Sequence, residues 1–240
     1  QGVKQEKDYN FWPAFSDLML VLVLILVVVL FSAITRMGNE SQMEEDNLNR
    51  FTATLRKQLN CSKVMDVDRD LWTDLLRGGK PIGISYRIVS GTQVYRFGAD
   101  VLFASGSDEL LDQGRGSLKA FAACLKENRQ SIERIQIQGH TDTKEGVSLN
   151  VLGADGLTLA AQRAMRIYRF LASEQGVDPH EYLMSAETFG SCMPIKRMER
   201  SQWLRKKTFV HNSTEKMRSD NRRIEIQVKF KDFYDLRMTR

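Results

Sequence analysis

The chain has 240 residues, room for one or two domains. Its 42% hydrophobic and 27% charged residues exclude a disordered protein, and fourteen consecutive apolar residues from Leu18 to Phe31 argue against a wholly cytosolic one. The formal charge of +5 is unevenly spread: from Ser191 onward 14 Lys and Arg face 6 Asp and Glu, but no zinc knuckle or aromatic-laced RNA signature accompanies them, so a nucleic acid partner is not expected.

Residues 1–13 read as a short polar head on the cytoplasmic side, ending in Phe11-Trp12-Pro13. Trp suits a membrane boundary and Pro the first turn of a helix. From Ala14 to Ile34 only Ser16, Asp17 and Ser32 interrupt the apolar run. About 20 helical residues cross the hydrocarbon core, so 14–35 is predicted to be a transmembrane helix. A cleaved signal has a shorter apolar stretch and a small-residue cleavage site, which Ser32-Ala33-Ile34 matches poorly. Lys4 and Lys7 before the span against Arg36 and Arg50 after it lean slightly toward an inner N-terminus.

Gly38 to Ser41 is expected to break the helix. In the linker 36–61 that follows, Met43, Leu48, Phe51, Leu55 and Leu59 fall on one helical face. This stripe suits either a short coiled coil between two copies or an amphipathic helix lying on its own domain. Residues 62–240 have globular texture, with a helix expected over Asp70–Leu76, stopped by Gly78-Gly79. Strands are expected over Ile82–Val89 and Gln93–Phe97, joined at Ser90-Gly91, then a helix over Ser117–Lys126, a strand over Ile132–Gln138 and a helix over Leu159–Ala172. Strands over Glu181–Phe189 and Ile224–Phe230 complete an α+β domain, a sheet with helices packed on it. Between the last two strands, 193–220 reads as an inserted loop with a helical piece around Trp203. Cys61, Cys124 and Cys192 allow one bridge with a spare thiol, or three small buried side chains.

Asp17 is the ionisable side chain inside the apolar run. A charged Asp at mid-membrane costs about 2.5–3.5 kcal/mol on insertion scales, which makes an intramembrane acid a functional candidate. Its position four residues after Pro13 also suits an interfacial acid that favours the positive end of the helix. Trp12-Pro13-Ala14-Phe15-Ser16-Asp17-Leu18-Met19 resembles the start of the B subunit of MotB-like ion-driven stators. The resemblance implies that Asp17 carries the transported ion. It further implies a homodimer of B chains encircled by five copies of a multi-span A subunit. H⁺ is favoured over Na⁺, because only Ser16 stands near Asp17 to supply a further oxygen from this helix.

Ile135-Gln136-Ile137-Gln138-Gly139-His140-Thr141-Asp142 resembles the central motif of OmpA-like peptidoglycan-binding domains. Leu159-Ala160-Ala161-Gln162-Arg163-Ala164, Phe189-Gly190 through Pro194, and Asn221-Arg222-Arg223-Ile224-Glu225-Ile226 resemble the family's later elements in the family's order. Phe103 to Leu110 fits its early strand-to-helix loop. The resemblance implies a βαβαβ-type periplasmic domain that binds the diaminopimelate of a peptidoglycan stem peptide. Asp142 would accept from the ligand ammonium, and Arg163 would fork onto its carboxylate. Asn221 and Arg222 would line the same site. Alternatively, Asp142 caps a turn and Arg163 pairs with it internally.

The chain departs from the family through extra residues around Val147–Gly156, through Gly156 at a usual Asn, and through Ala160 at a usual Ser; Asn150 or Asp155 are candidate substitutes. His140 reads as a packed turn residue. Three scattered histidines leave no metal spacing, and neither a phosphate loop nor a nucleophile–base pair appears, so neither a resident cofactor nor an enzyme is expected.

A span of mostly Leu and Val, together with the 193–220 insertion, resembles the B subunit of Zorya anti-phage defence systems. That resemblance implies an inner-membrane protein that signals indirectly to cytoplasmic effectors. A flagellar stator B subunit and a passive membrane-to-wall tether are the alternatives.

Overall fold

A computed structural model describes residues 12–65, 72–89, 92–142, 154–195 and 214–231. The chain divides into two units, Gln1–Glu45 and Asp46–Arg240.

The first unit holds the start of helix α1 (Trp12–Leu59). Phe15–Thr35 is 21 residues long with mean hydropathy 3.2 and buries none of its side chains within the protein. At 1.5 Å per residue that stretch measures about 31 Å, the thickness of a bilayer core. Trp12 packs edge-to-face on Phe15 at its start, with ring centroids 6.1 Å apart. The expected break at Gly38–Ser41 does not occur, for α1 runs through it. A glycine in a helix costs about 1 kcal/mol relative to alanine, and no proline removes a hydrogen bond there.

In the second unit the α1 stripe meets its own domain: Leu48, Phe51, Leu55 and Leu59 are buried in the core. Of the two expectations for this stripe, the amphipathic helix is the one found. Gln93 is fully buried beneath it and donates from Nε2 to the Leu48 carbonyl (2.7 Å) and to Thr52 Oγ1 (2.9 Å), while Tyr95 donates its hydroxyl to Gln93 Oε1 (2.6 Å). A satisfied polar network of this kind fixes the register of the helix on the sheet. Asn60, at φ 50°, turns the chain out of α1, and Arg77 Nη2 donates to the terminal Leu59 carbonyl at 2.8 Å.

Among the described residues the sheet has seven strands: β1 (Ser62–Met65), β2 (Thr73–Arg77), β3 (Lys80–Val89), β4 (Thr92–Gly98), β5 (Ile132–His140), β6 (Met184–Gly190) and β7 (Arg223–Phe230). Their order is β1-β2-β3-β4-β7-β5-β6. Among the described residues only β5 and β6 run parallel, joined through α4 (Ala154–Arg169) and a π-helical turn at Phe170–Glu174. The other helices are α2 (Ala99–Leu102), α3 (Asp112–Glu127) and α5 (Glu215–Asn221). Ile224, Ile226, Val228 and Phe230 of β7 alternate into the core, where Phe51, Tyr95, Phe97, Phe121 and Phe230 pack ring against ring.

The helix expected over Asp70–Leu76 is corrected: Thr73–Arg77 is a strand. Gly78 (φ 58°) and Gly79 (φ 79°) form a two-residue turn that pairs Arg77 with Lys80, the positive-φ pair a tight hairpin demands. Among the thiols only Cys124 is buried; Cys192 is exposed, Cys61 lies between, and all three are free. The expectations at Ser90-Gly91, Trp203 and Asn150, and for the side chains of Met43 and Asp155, lie outside the described residues.

Helix α4 lies so close to β5 that only glycine fits at one point. A Cβ on Gly139 would stand 2.1 Å from the Ala160 carbonyl oxygen, a backbone atom that cannot step aside. Gly139→Ala is therefore expected to cost about 1–3 kcal/mol or more of stability, read as a lowered unfolding midpoint. An unchanged midpoint would show that the β5–α4 contact is looser than this geometry.

Candidate functional site

The site sits where β5 ends, beside α4 and α5. Thr141 carries the chain out of β5, its N–H donating to the Gly190 carbonyl (2.9 Å) and its hydroxyl to the Gly156 carbonyl (3.3 Å). These bonds fix the next residue, Asp142, whose surface is wholly buried. His140 stacks on Phe189 at 5.4 Å between centroids; it is packed as expected, but as the last residue of β5 rather than in a turn. Among the described residues no cluster of His, Cys, Asp and Glu suits a metal.

Arg163 projects from α4 and is 2% exposed. Its Nε donates to the Ser107 carbonyl at 2.9 Å, and its guanidinium lies 5.4 Å from the Phe103 ring centroid. One turn along α4, Arg166 reaches Asp108 at 3.1 Å and pins the same loop. The early loop at Phe103–Leu110 thus orients the guanidinium as well as closing the fold.

Arg222 follows α5. Its Nη1 donates to Asp142 Oδ2 at 2.7 Å and its Nη2 to Glu215 Oε1 at 3.0 Å. Glu215 in turn accepts from Arg218 at 2.6 Å. Burial would pull the Arg222 pKa down, but the two carboxylates more than offset it and hold the guanidinium above its ordinary value. Hydrogen bonds from Arg218 and Arg222 hold the Glu215 carboxyl below the usual range.

Asp142, Arg163 and Arg222 share the lining of one cavity of about 560 Å³, with Asp100, Phe103, Ser105 and Glu215 also on its wall. Asn221 does not line it. That residue is 3% exposed at the end of α5, and its Oδ1 accepts from the Ile195 N–H at 2.9 Å, which makes it a positioning residue. Glu215 and Asp100 were missed from sequence. For Glu215 a signal existed: Thr214 caps α5 by accepting from the Met217 N–H at 3.2 Å, the pattern of a helix start. Three carboxylates and two guanidinia on one wall suit a small ligand that carries both charges.

Asp17 belongs to the other unit. It is exposed on the apolar stretch Phe15–Thr35, apart in sequence and in unit from Asp142, Arg163, Asn221 and Arg222.

The OmpA family matches residues 102–222, half of the chain, and this range holds Asp142, Arg163, Asn221 and Arg222. Among solved structures, a MotB-like protein from Desulfovibrio vulgaris is similar at 19% identity, covering 81% of this chain and 98% of its own, with a TM-score of 0.57. The periplasmic domain of a MotB is similar at 20% identity over 77% of this chain and 86% of its own, with a TM-score of 0.52. At these identities the likeness is one of fold, and it extends upstream of the family match. No curated protein matches the chain.

Proposed function

The chain belongs to the OmpA family, and we propose that it is the wall-anchored B subunit of a proton-driven rotary complex of the inner membrane. In this reading the N-terminus is cytoplasmic, α1 crosses the membrane once, and the domain after it binds peptidoglycan in the periplasm. Two copies stand inside a ring of five multi-span A subunits, and Asp17 passes the ion between them. One observation carries the proposal: an apolar span with one embedded carboxylate precedes, in a single chain, a mixed-charge cavity built by Asp142, Arg163 and Arg222.

The cavity fits the free end of diaminopimelate, where an ammonium and a carboxylate share one carbon. Asp142 takes the ammonium and Arg163 the carboxylate, while Asn221 holds the backbone that presents Arg222. The wall then restrains the B chains as ion flow turns the A ring. The nearly all-Leu and Val span and the long 193–220 insertion favour an anti-phage defence machine that signals to cytoplasmic effectors over a flagellar stator.

Affinity purification of the full chain from its native membrane tests the assembly. A multi-span partner should co-purify in excess over this chain. Recovery with wall fragments alone would leave a passive tether and overturn the motor.

A further inference from the structure

The carboxylate meant for the ligand ammonium is already engaged. At the cavity wall the Arg222 guanidinium bridges buried Asp142 (2.7 Å) and Glu215 at the rim (3.0 Å). The three differ in exposure: the Asp142 side chain is 0% exposed, Arg222 24% and Glu215 63%. They also differ in freedom. Arg163 is committed through Nε to the Ser107 carbonyl. The backbone of Arg222 is pinned at both ends, its N–H donating to the Arg218 carbonyl and its carbonyl accepting from the Ala99 N–H, each at 2.9 Å. Its side chain reaches the cavity from that fixed base, with Glu215 as an outer partner.

We propose that Arg222 is the specificity gate of this cavity, standing on Asp142 in place of the ligand ammonium and yielding to a ligand that brings a carboxylate of its own. The inference rests on the stem-peptide reading above. A ligand with an ammonium alone must break the Asp142–Arg222 pair and return only one contact, to Asp142. The displaced guanidinium gains nothing from it. A ligand with a carboxylate beside the ammonium supplies both replacements: its ammonium takes Asp142, and the carboxylate that Arg163 holds also accepts from Arg222, so the displaced guanidinium is compensated. Glu215 keeps hold of Nη2 throughout, so the guanidinium swings between anions instead of leaving for water. Specificity here comes from an internal competitor that the wrong ligand cannot compensate.

Two tripeptides isolate the effect: L-Ala-γ-D-Glu-meso-diaminopimelate and L-Ala-γ-D-Glu-L-Lys, which differ in the carboxylate beside the distal ammonium. Calorimetric titration of the full chain in detergent micelles should show the wild type preferring the first by roughly tenfold or more. In Arg222→Gln the preference should narrow by about threefold or more, to what Arg163 alone confers, chiefly because the Lys peptide binds better. An undiminished preference in Arg222→Gln overturns the gate. Should that variant not fold, nitrogen NMR of the wild-type Arg222 guanidinium decides. Its signals must move when the diaminopimelate peptide saturates the cavity, and stationary signals overturn the gate equally. A wild type that binds neither peptide defeats the stem-peptide reading itself, and the gate with it.

Discussion

Asp17→Asn should abolish ion-driven output of the complex while leaving the chain in the membrane and in its assembly. Asn matches Asp in size and keeps a polar end, but it cannot exchange a proton. Insertion does not depend on the acid: the span has mean hydropathy 3.2 over Phe15–Thr35, and each Leu or Val contributes favourably on insertion scales. The competing account makes Asp17 a charge near the N-terminus of α1, worth about 0.3–1 kcal/mol to the helix and nothing to transport. The two accounts separate cleanly in one experiment. Membrane fractionation and co-purification of Asp17→Asn should match wild type under both. Proton flux, or the cellular response it drives, should fall to background under the first and stay unchanged under the second. An unchanged response would reduce the chain to an anchor.

Where the sequence was legible, the side-chain period was long and unbroken. Ile224, Ile226, Val228 and Phe230 alternate over a whole strand, and Leu48, Phe51, Leu55 and Leu59 over three turns of helix, so burial followed the pattern. Short segments were read less well. Trp72, Leu75 and Leu76 within a few residues of one another fit a helix or a strand equally, and tertiary pairing with β3 decided for the strand. Gly78-Gly79 marked a boundary correctly, but as a hairpin turn rather than a helix stop. Gly38–Ser41 misled for the opposite reason, since weak helix formers do not break a helix by themselves.

The cavity shows the same division. Asp142 and Arg163 were legible because a strand end and a helix face present them, and those elements carry the strongest patterns. Glu215 was not, because its one signal, the Thr214 cap, opens a helix of only seven residues after a segment without periodicity. Sequence reading also grouped Arg222 with Asp142 without seeing the ion pair between them, residues 80 positions apart in the chain. Distances of that kind are set by the sheet: Gly139 pairs with Ile224 and His140 with Arg223, which brings the end of β5 to the start of β7.

Arg163→Lys is expected to lose binding of the diaminopimelate tripeptide by tenfold or more, and Arg163→Ala by roughly a hundredfold, the fold-loss of about 2–5 kcal/mol that truncating a buried charge partner brings. The lysine variant is the sharper test. It keeps the positive charge, so a loss there reports the planar fork of the guanidinium rather than charge alone. In the structure the protein itself holds that fork: Nε is held by the Ser107 carbonyl, the Phe103 ring lies 5.4 Å away, and the side chain is 2% exposed. Binding therefore orders little that is not already ordered, and affinity should be sensitive to the fork's geometry. Lys has one nitrogen to divide between Ser107 and the ligand carboxylate, and cannot serve both with the same alignment. The unfolding midpoint separates a binding defect from a folding one, since Arg163→Lys should shift it far less than Arg163→Ala, which empties a buried position. Wild-type affinity in Arg163→Lys would mean that a point charge suffices, and would move carboxylate recognition away from Arg163 to Arg222.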